Sequence, residues 1–500
     1  MNNELIIGID IGTSSCKAVL FDCHGNAVAW AKESYPLFVL GNGYVEQNAE
    51  DYWTATVSCV RRLVSADSSY RDRIKAIGLT GQVPTDIFLD ENGSPLIRGI
   101  SWQDTRAVKQ AEMLRERYTA EEMYKILGSN VPISPSWSAS RLLWVTQNLG
   151  DVAKRCKKIV LPKDYVGFKM TGGYMSDGWS CKSTVNLHNN TPCSSLLEYL
   201  GFSDSHMPEV ASWSTLRGTL TKSAAETLGL SAKTVVSNGC SDAPATMLGC
   251  GVLSAPGIGF NSCGTSEIVG MSIDSNAMCR ELMTIPSTVT GACSIIYGPT
   301  QSGGNSLLWY ANNILNTNDV DALLANAEKS PTGCGGLMFI PYISGERCPL
   351  WEPDVRGSFV SISASHTSSD FARAIMEGVG FSVRHCLEFA TKANQNIKPS
   401  VIRVTGGGSR SALWRQIKAD ITGVPIETLK CDEACALGAA MTAAVGTSLF
   451  SSYPEASSSM LSVSSQTLPN PDAHTLYSQL FTNYLQESTY SIQRITRGMR

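Results

Sequence analysis

The chain has 500 residues, 43% of them hydrophobic and 17% charged, with a formal net charge of −4. That length is more than one ordinary hydrophobic core fills, so two domains are expected, and the composition excludes a disordered chain. Slight acidity without a cluster of Lys and Arg excludes nucleic acid and anionic membrane as main partners. The 16 cysteines are scattered through both halves without framework spacing and read as reduced, mostly buried small residues. Cys431 and Cys435 form one close pair, but no His stands near them in the sequence to complete a zinc site.

The first apolar run, from Leu5, follows no basic segment and ends at Asp10, so it predicts a strand and not a signal peptide. The Ala- and Gly-rich stretch from Ala434 to Val445 is well short of a membrane span. A soluble, cytoplasmic protein is expected. From Leu5 to Tyr35 the pattern is strand, Gly12-Thr13-Ser14 turn, strand, His24-Gly25-Asn26 turn, strand. Asn48 then caps a helix whose apolar face carries Trp53, Val57, Val60 and Val64. Ile74 to Leu79 is a buried-type strand leading into Thr80-Gly81-Gln82, and Ile87 to Leu89 is another. Polar groups beside an indole follow at Ser101 to Arg106, and Ser136 to Asn148 reads as a helix packed through Leu142, Leu143 and Val145. Pro162 opens a short helix that stops at Gly172-Gly173.

The centre of the chain, Val235 to Ser266, carries the most chemistry. An apolar run breaks at Asn238-Gly239 and delivers Asp242 onto the start of a helix, where the partial positive charge of the N-terminus is expected to hold the acid ionised. On spacing alone Asp242 is equally a helix cap. Gly264-Thr265-Ser266 then repeats the first Gly-Thr-Ser turn 252 residues later, again between apolar arms. One such triplet is an ordinary turn. Two, one in each half, suggest a duplicated domain whose turns cradle phosphate oxygens with backbone N–H groups and hydroxyls. Later come the strand Leu337 to Ile340, a long helix from about Ser369 to Thr391, and the strand Ile402 to Val404, which runs into Gly406-Gly407-Gly408-Ser409. Three glycines between a strand and a helix let a flat ring or a phosphate approach the backbone. Ser451 to Gln466 reads as a Ser-rich surface linker to a last helix, about Ala473 to Ile495.

Several ordered segments together resemble the FGGY carbohydrate kinase family, and within it the xylulokinase branch. They are Asp10-Ile11-Gly12-Thr13-Ser14 with Lys17, Gly78 to Gln82, Trp102 to Arg106, Leu161 to Tyr165, Pro341 to Arg347, Arg373 to Gly378, and Gly406 to Ser409 with Leu413 to Gln416. The resemblance implies an α/β fold of two duplicated ribonuclease H-like, actin-like ATPase domains with an interdomain cleft. Residues 1–243 would form the N-terminal domain, 244–450 the C-terminal domain, and 451–500 the linker and last helix. It implies ATP-dependent phosphorylation of a small sugar or polyol with Mg²⁺, and leaves a homodimer open.

By the same resemblance Asp242 is the general base that takes the proton from the sugar hydroxyl, and Asp10 holds the metal. Thr13, Ser14, Lys17, Gly264 and Thr265 surround the phosphates, while Gly407, Gly408 and Ser409 belong to the adenosine pocket. Gln82, Val83, Trp102 and Asp104 face the sugar, together with Asp242. Three departures from the xylulokinase pattern stand out: Val83-Pro84 stands for Met-His, Ala243 for Asn and Arg141 for Lys. The first two remove hydrogen-bonding groups from the substrate pocket and leave the sugar open among pentuloses, pentitols, gluconate and glycerol-like acceptors. A cytoskeletal or chaperone-type ATPase of the same fold would need no sugar pocket. A silent sugar sensor would most simply have lost Asp10 or Asp242, and both are present.

Overall fold

A computed structural model of the chain describes residues 3–496 apart from 131, 275, 276 and 278. The chain divides into two compact units, one formed by Met1–Ser254, Ile285–Ser294 and Glu433–Leu461, the other by Ala255–Thr284, Ile295–Asp432 and Ser462–Arg500.

In the first unit β1 (Leu5–Ile11) is buried along nearly its whole length, as a continuous run of branched residues demands of a central strand. It turns at Gly12 into antiparallel β2 (Ser15–Asp22), and that into antiparallel β3 (Ala27–Ser34). Helix α1 (Ala49–Ala66) crosses behind them and leads to β4 (Ile74–Gly81), parallel to β1. The buried face of α1 is Tyr52, Ala55, Cys59, Val60 and Leu63, while Trp53, Val57 and Val64 sit only partly buried at its margin. The helix is thus rotated from the expected stripe, because Tyr52 and Cys59 pack inward as well as the aliphatics do.

A smaller core around Phe88, Ile100, Leu142 and Leu197 carries an insertion that contains α2 (Ser138–Asn148) and precedes α3 (Pro162–Thr171). The chain returns to the sheet through β5 (Leu216–Thr219) and β6 (Val235–Ser237), then enters α4 (Asp242–Gly249). The strand order is β5-β6-β4-β1-β2-β3.

The second unit repeats that plan. Strand β7 (Ile258–Cys263) turns at Gly264 into antiparallel β8 (Glu267–Ile273), with β9 (Ser294–Pro299) beyond it. After α5 (Gly304–Trp309) and the long α6 (Ser368–Ala393), β10 (Val401–Thr405) runs parallel to β7. Helix α7 (Ala412–Thr422) then leads to β11 (Ile426–Leu429), parallel to β10. The order β11-β10-β7-β8-β9 matches β6-β4-β1-β2-β3 strand for strand, so the duplicated ribonuclease H-like, actin-like fold expected from the two Gly-Thr-Ser turns is present.

Two expectations fail near the end of the chain. Helix α8 (Ala434–Gly446) packs in the first unit, not with the second half of the sequence that precedes it. A Cβ on Gly8 of β1 would lie 1.9 Å from Ala436 O, and one on Gly78 of β4 1.8 Å from Ala439 O. The helix therefore rests directly on strand backbone, a spacing that only glycine permits. The stretch expected to be a Ser-rich linker instead forms α9 (Tyr453–Met460) and β12 (Val463–Thr467). Ser452 caps the helix by accepting from Glu455 N, Pro454 stands in its first turn, and β12 pairs antiparallel with β11. A last helix, α10 (Pro471–Thr496), closes the chain.

Candidate active site

The ends of β1 and β4 build the first half of the site. Asp10 pairs in register with Thr80, and the segment Cys240–Ser241 adds on beside Thr80 and Gly81 before the chain turns into α4. Gly239 makes that delivery possible. Its φ is +70°, and a Cβ there would lie 1.7 Å from Leu79 O, so only glycine lets the chain pass over the end of β4 and place Asp242 beside β1. Asp242 is the first residue of α4, Ser241 takes the cap position, and Asp242 Oδ1 accepts from Ala243 N at 2.7 Å.

Burial pushes the Asp242 carboxyl above the ordinary range, against the pull of the Ala243 N–H and the Lys182 ammonium. The expected ionising effect of the helix N-terminus is outweighed, because removing a charge from water costs more than one turn of backbone dipoles returns. Asp10 is raised to about 7, first by burial and then by the charge of Asp242; Cys435 and Lys17 oppose the shift. Its Oδ1 is enclosed and without a hydrogen-bond partner.

Helix α8 brings residues from the far end of the sequence to this place. Lys17 donates to Glu433 at 2.6 Å, a pair that is about one-third exposed and fixes geometry more than it stabilises. Cys435 Sγ lies 3.5 Å from Asp242 O and 4.0 Å from Thr80 Oγ1. Neither Glu433 nor Cys435 was singled out as an active-site candidate from the sequence, since nothing near either of them marks a partner more than 170 residues away.

The first Gly-Thr-Ser turn is rigidly held. Gly12 N donates to Ser15 O at 3.0 Å, Tyr35 N to Ser14 O, and Gln47 Nε2 to Thr13 O at 2.7 Å. Trp102, 40% exposed, lays its indole N–H on Thr13 Oγ1 at 3.0 Å, so the residue expected to cover the sugar is also tied to the phosphate turn. Gln82 donates from Nε2 to Gln47 Oε1, which leaves its own Oε1 buried and unpartnered.

Asp104, expected to bind sugar hydroxyls, has both oxygens taken: Arg106 grips them from Nε and Nη2, and Val45 N donates to Oδ2 at 2.6 Å. It shapes the wall without offering a free acceptor. Val83 is half-buried. Behind it Arg141, fully buried, pairs with Asp86 at 2.7 Å and donates to Pro84 O and Ser101 O. One planar guanidinium thus ties the loop after Gln82 to the segment before Trp102, three contacts that a lysine could not reproduce in the same plane.

The second unit carries a separate cavity of about 580 Å³, lined by Gly264, Thr265, Leu307, Gly407, Gly408 and Trp414 among others. That is ample for a nucleoside. The second Gly-Thr-Ser turn forms one edge. Gly264 N donates to Ser266 O at 3.1 Å, and the turn is braced by Gly304 N and Asn305 N, which donate to Gly264 O and Thr265 O. Arg347, from the Gly-Glu-Arg segment, donates to Ser266 Oγ at 3.2 Å. Ser409, expected in the adenosine pocket, does not line the cavity; its hydroxyl folds back onto Gly406 O at 2.7 Å.

Comparisons with known proteins place the chain in a family. Residues 5–249 match the N-terminal domain model of the FGGY family of carbohydrate kinases, and residues 259–447 match its C-terminal domain model. A xylulose kinase of Staphylococcus epidermidis is 30% identical over 97% of this chain and 96% of its own length. A gluconokinase of Bacillus subtilis is 28% identical over 97% and 95%. The solved structure of a ligand-bound xylulose kinase from Lactobacillus acidophilus superposes with a TM-score of 0.89 at 26% identity, covering 97% of this chain and 98% of that one. The chain belongs to the FGGY family of carbohydrate kinases and is an enzyme that phosphorylates a small sugar-like molecule, with ATP as the family's phosphoryl donor. Among the described residues no helix is long and apolar enough to cross a membrane.

Proposed function

We propose that the protein is a cytoplasmic, xylulokinase-like kinase that transfers the γ-phosphoryl group of ATP to a hydroxyl of a small sugar or polyol, with a pentulose as the favoured acceptor. The observation that carries this reading is Asp242, a carboxylate at the start of α4 whose pKa burial has raised above the ordinary carboxylate range. A carboxylate with a raised proton affinity accepts a proton more readily as the transition state forms. In the step proposed, the Asp242 carboxylate takes the proton of the sugar O–H, the oxygen forms a bond to the γ-phosphorus, and the bond to the ADP oxygen breaks. Thr13, Lys17, Gly264 and Thr265 orient and neutralise the phosphate oxygens, while Gly407, Gly408 and Trp414 receive the adenosine.

Mg²⁺ fits the donor set, since the enclosed and unpartnered Oδ1 of Asp10 is an anionic oxygen that lacks a cation. When bound, the ion would supply charge neutralisation at the phosphates. An ADP-release assay across ketopentoses, pentitols, gluconate and glycerol tests the reading; ADP release that no acceptor stimulates would return the protein to the class of sugar-independent ATPases.

Val83-Pro84 gives a gluconate, ribulose, pentitol or glycerol acceptor its standing as a second reading. This edge of the pocket offers no polar side-chain atom, and an unpaired substrate hydroxyl against it costs about 1–3 kcal/mol, one to two decades in specificity. On this second reading D-xylulose is disfavoured by about tenfold or more against the best acceptor, and a Val83→Met, Pro84→His variant recovers it. The comparison is kcat/KM for each sugar in both proteins. A wild type that already prefers D-xylulose more than tenfold over every other sugar reduces the departure to loop shape.

A further inference from the structure

Among the described residues five lysines and arginines are buried over the whole residue, backbone included: Arg141, Lys163, Lys182, Arg373 and Lys418. Four of them meet a carboxylate at 2.7–2.8 Å: Asp86, Asp164, Glu377 and Glu267 respectively. Lys182 does not. Only 4% exposed, its ammonium makes one long hydrogen bond, 3.4 Å to Trp179 O. It lies 4.5 Å from the ring centre of Trp137 and 5.1 Å from that of Trp179. Asp177, the nearest acid in sequence, is engaged elsewhere, accepting from Ser180 N and Ser180 Oγ and pairing with Lys163 at 3.2 Å.

Burying an ammonium with two indole faces and one long hydrogen bond but no carboxylate is costly, and it leaves donors of the ammonium open to a ligand. Its surroundings say which ligand. Trp137 caps α2, whose Ser138 and Arg141 hold Asp86 and the Pro84 carbonyl, so Lys182 is linked through one indole to the loop that presents Val83. On its other side it feels the charge of Asp242, whose carboxyl it in turn draws down. The ammonium is thereby close enough to the proposed base for their charges to interact, and is tied through Trp137 to the helix that grips the Val83-Pro84 loop.

We infer that Lys182 is a substrate-binding residue that donates a hydrogen bond to a hydroxyl or carbonyl oxygen of the neutral acceptor sugar, with the partly exposed Trp137 as the apolar wall against its C–H face and the buried Trp179 behind the ammonium. The inference rests on the reading of Asp242 as the base of a sugar kinase. A neutral oxygen fits better than a carboxylate, because Asp10 and Asp242 already place two acids in this part of the unit and a third negative charge would be repelled. Lys182 also supplies the contact that Val83-Pro84 does not, from a different direction, which makes it a determinant of which sugar is accepted.

The test is steady-state kinetics of Lys182→Met and Lys182→Arg with the best neutral acceptor from the screen and with D-gluconate. In Lys182→Met the KM for the neutral acceptor is expected to rise about 10- to 100-fold, while kcat and the KM for ATP stay within about threefold; Lys182→Arg recovers part of the loss. A merely structural lysine would lower the melting temperature and move all three parameters together.

A second readout separates binding from folding. Burial, opposed by Asp177, Asp242 and Cys181, brings the Lys182 ammonium down to about 8, so wild-type KM for the sugar should climb above that pH while the Lys182→Met profile stays flat. An unchanged KM in Lys182→Met overturns the inference, as does a loss confined to D-gluconate. A wild type that turns over no acceptor at all defeats instead the reading of the site as a sugar kinase.

Discussion

Asp242→Asn is expected to lower kcat by about 10²- to 10⁴-fold while fold and nucleotide affinity stay close to wild type. The amide keeps the size of the carboxylate and its acceptor oxygen toward Ala243 N, so α4 still starts in the same place. What it loses is the ability to take a proton. Nothing in the cavity beside the second Gly-Thr-Ser turn belongs to this element, which leaves nucleotide binding as an internal control. Single-turnover phosphorylation and nucleotide titration on the same preparation separate the two effects. Activity within about threefold of wild type would return Asp242 to the role of a helix-start residue.

Gly78→Ala should be among the most destabilising single methyl additions in the first unit. Its Cβ would meet Ala439 O at 1.8 Å, well inside contact distance, and the atom it meets is helix backbone that no rotamer change can move aside. Helix α8 must then lift from β4, at a cost of about 3 kcal/mol or more. The melting temperature of the unit is expected to fall by roughly 6–12 °C. Gly150→Ala is the control, since a Cβ there meets nothing within 4 Å, and it should change stability by no more than about 0.5 kcal/mol. Equal melting temperatures for the two variants would contradict the direct seating of α8 on the sheet.

The parts of the site that were legible in the sequence are those whose chemistry is local. Asp10, Asp242 and the two Gly-Thr-Ser turns each sit where a strand ends, and a strand end followed by small polar residues can be recognised within a dozen positions. Asp104 misled because an acid beside an indole resembles a sugar contact; Arg106, two residues on, folds back onto both oxygens, and the Val45 backbone, 59 residues away in sequence, adds a contact that only the folded chain brings together. Lys182 was invisible for the converse reason, since its significance lies in the carboxylate it lacks. The supposed linker at Ser451 did carry its own signal. Ser452, Pro454 and Glu455 are a helix start, and attention to serine content alone obscured it.

The seating of α8 bears on how the chain is made. A ribosome releases the first 254 residues, most of one unit, while the helix that covers the glycine-lined face of β1 and β4 is still unwritten. At about 5 to 20 residues per second, roughly ten to forty seconds pass before residue 446 emerges. Throughout that interval the nascent unit exposes a strip of bare strand backbone, and Lys17 waits for Glu433. A chain cut anywhere before that helix leaves this face of the first unit uncovered and Lys17 without Glu433.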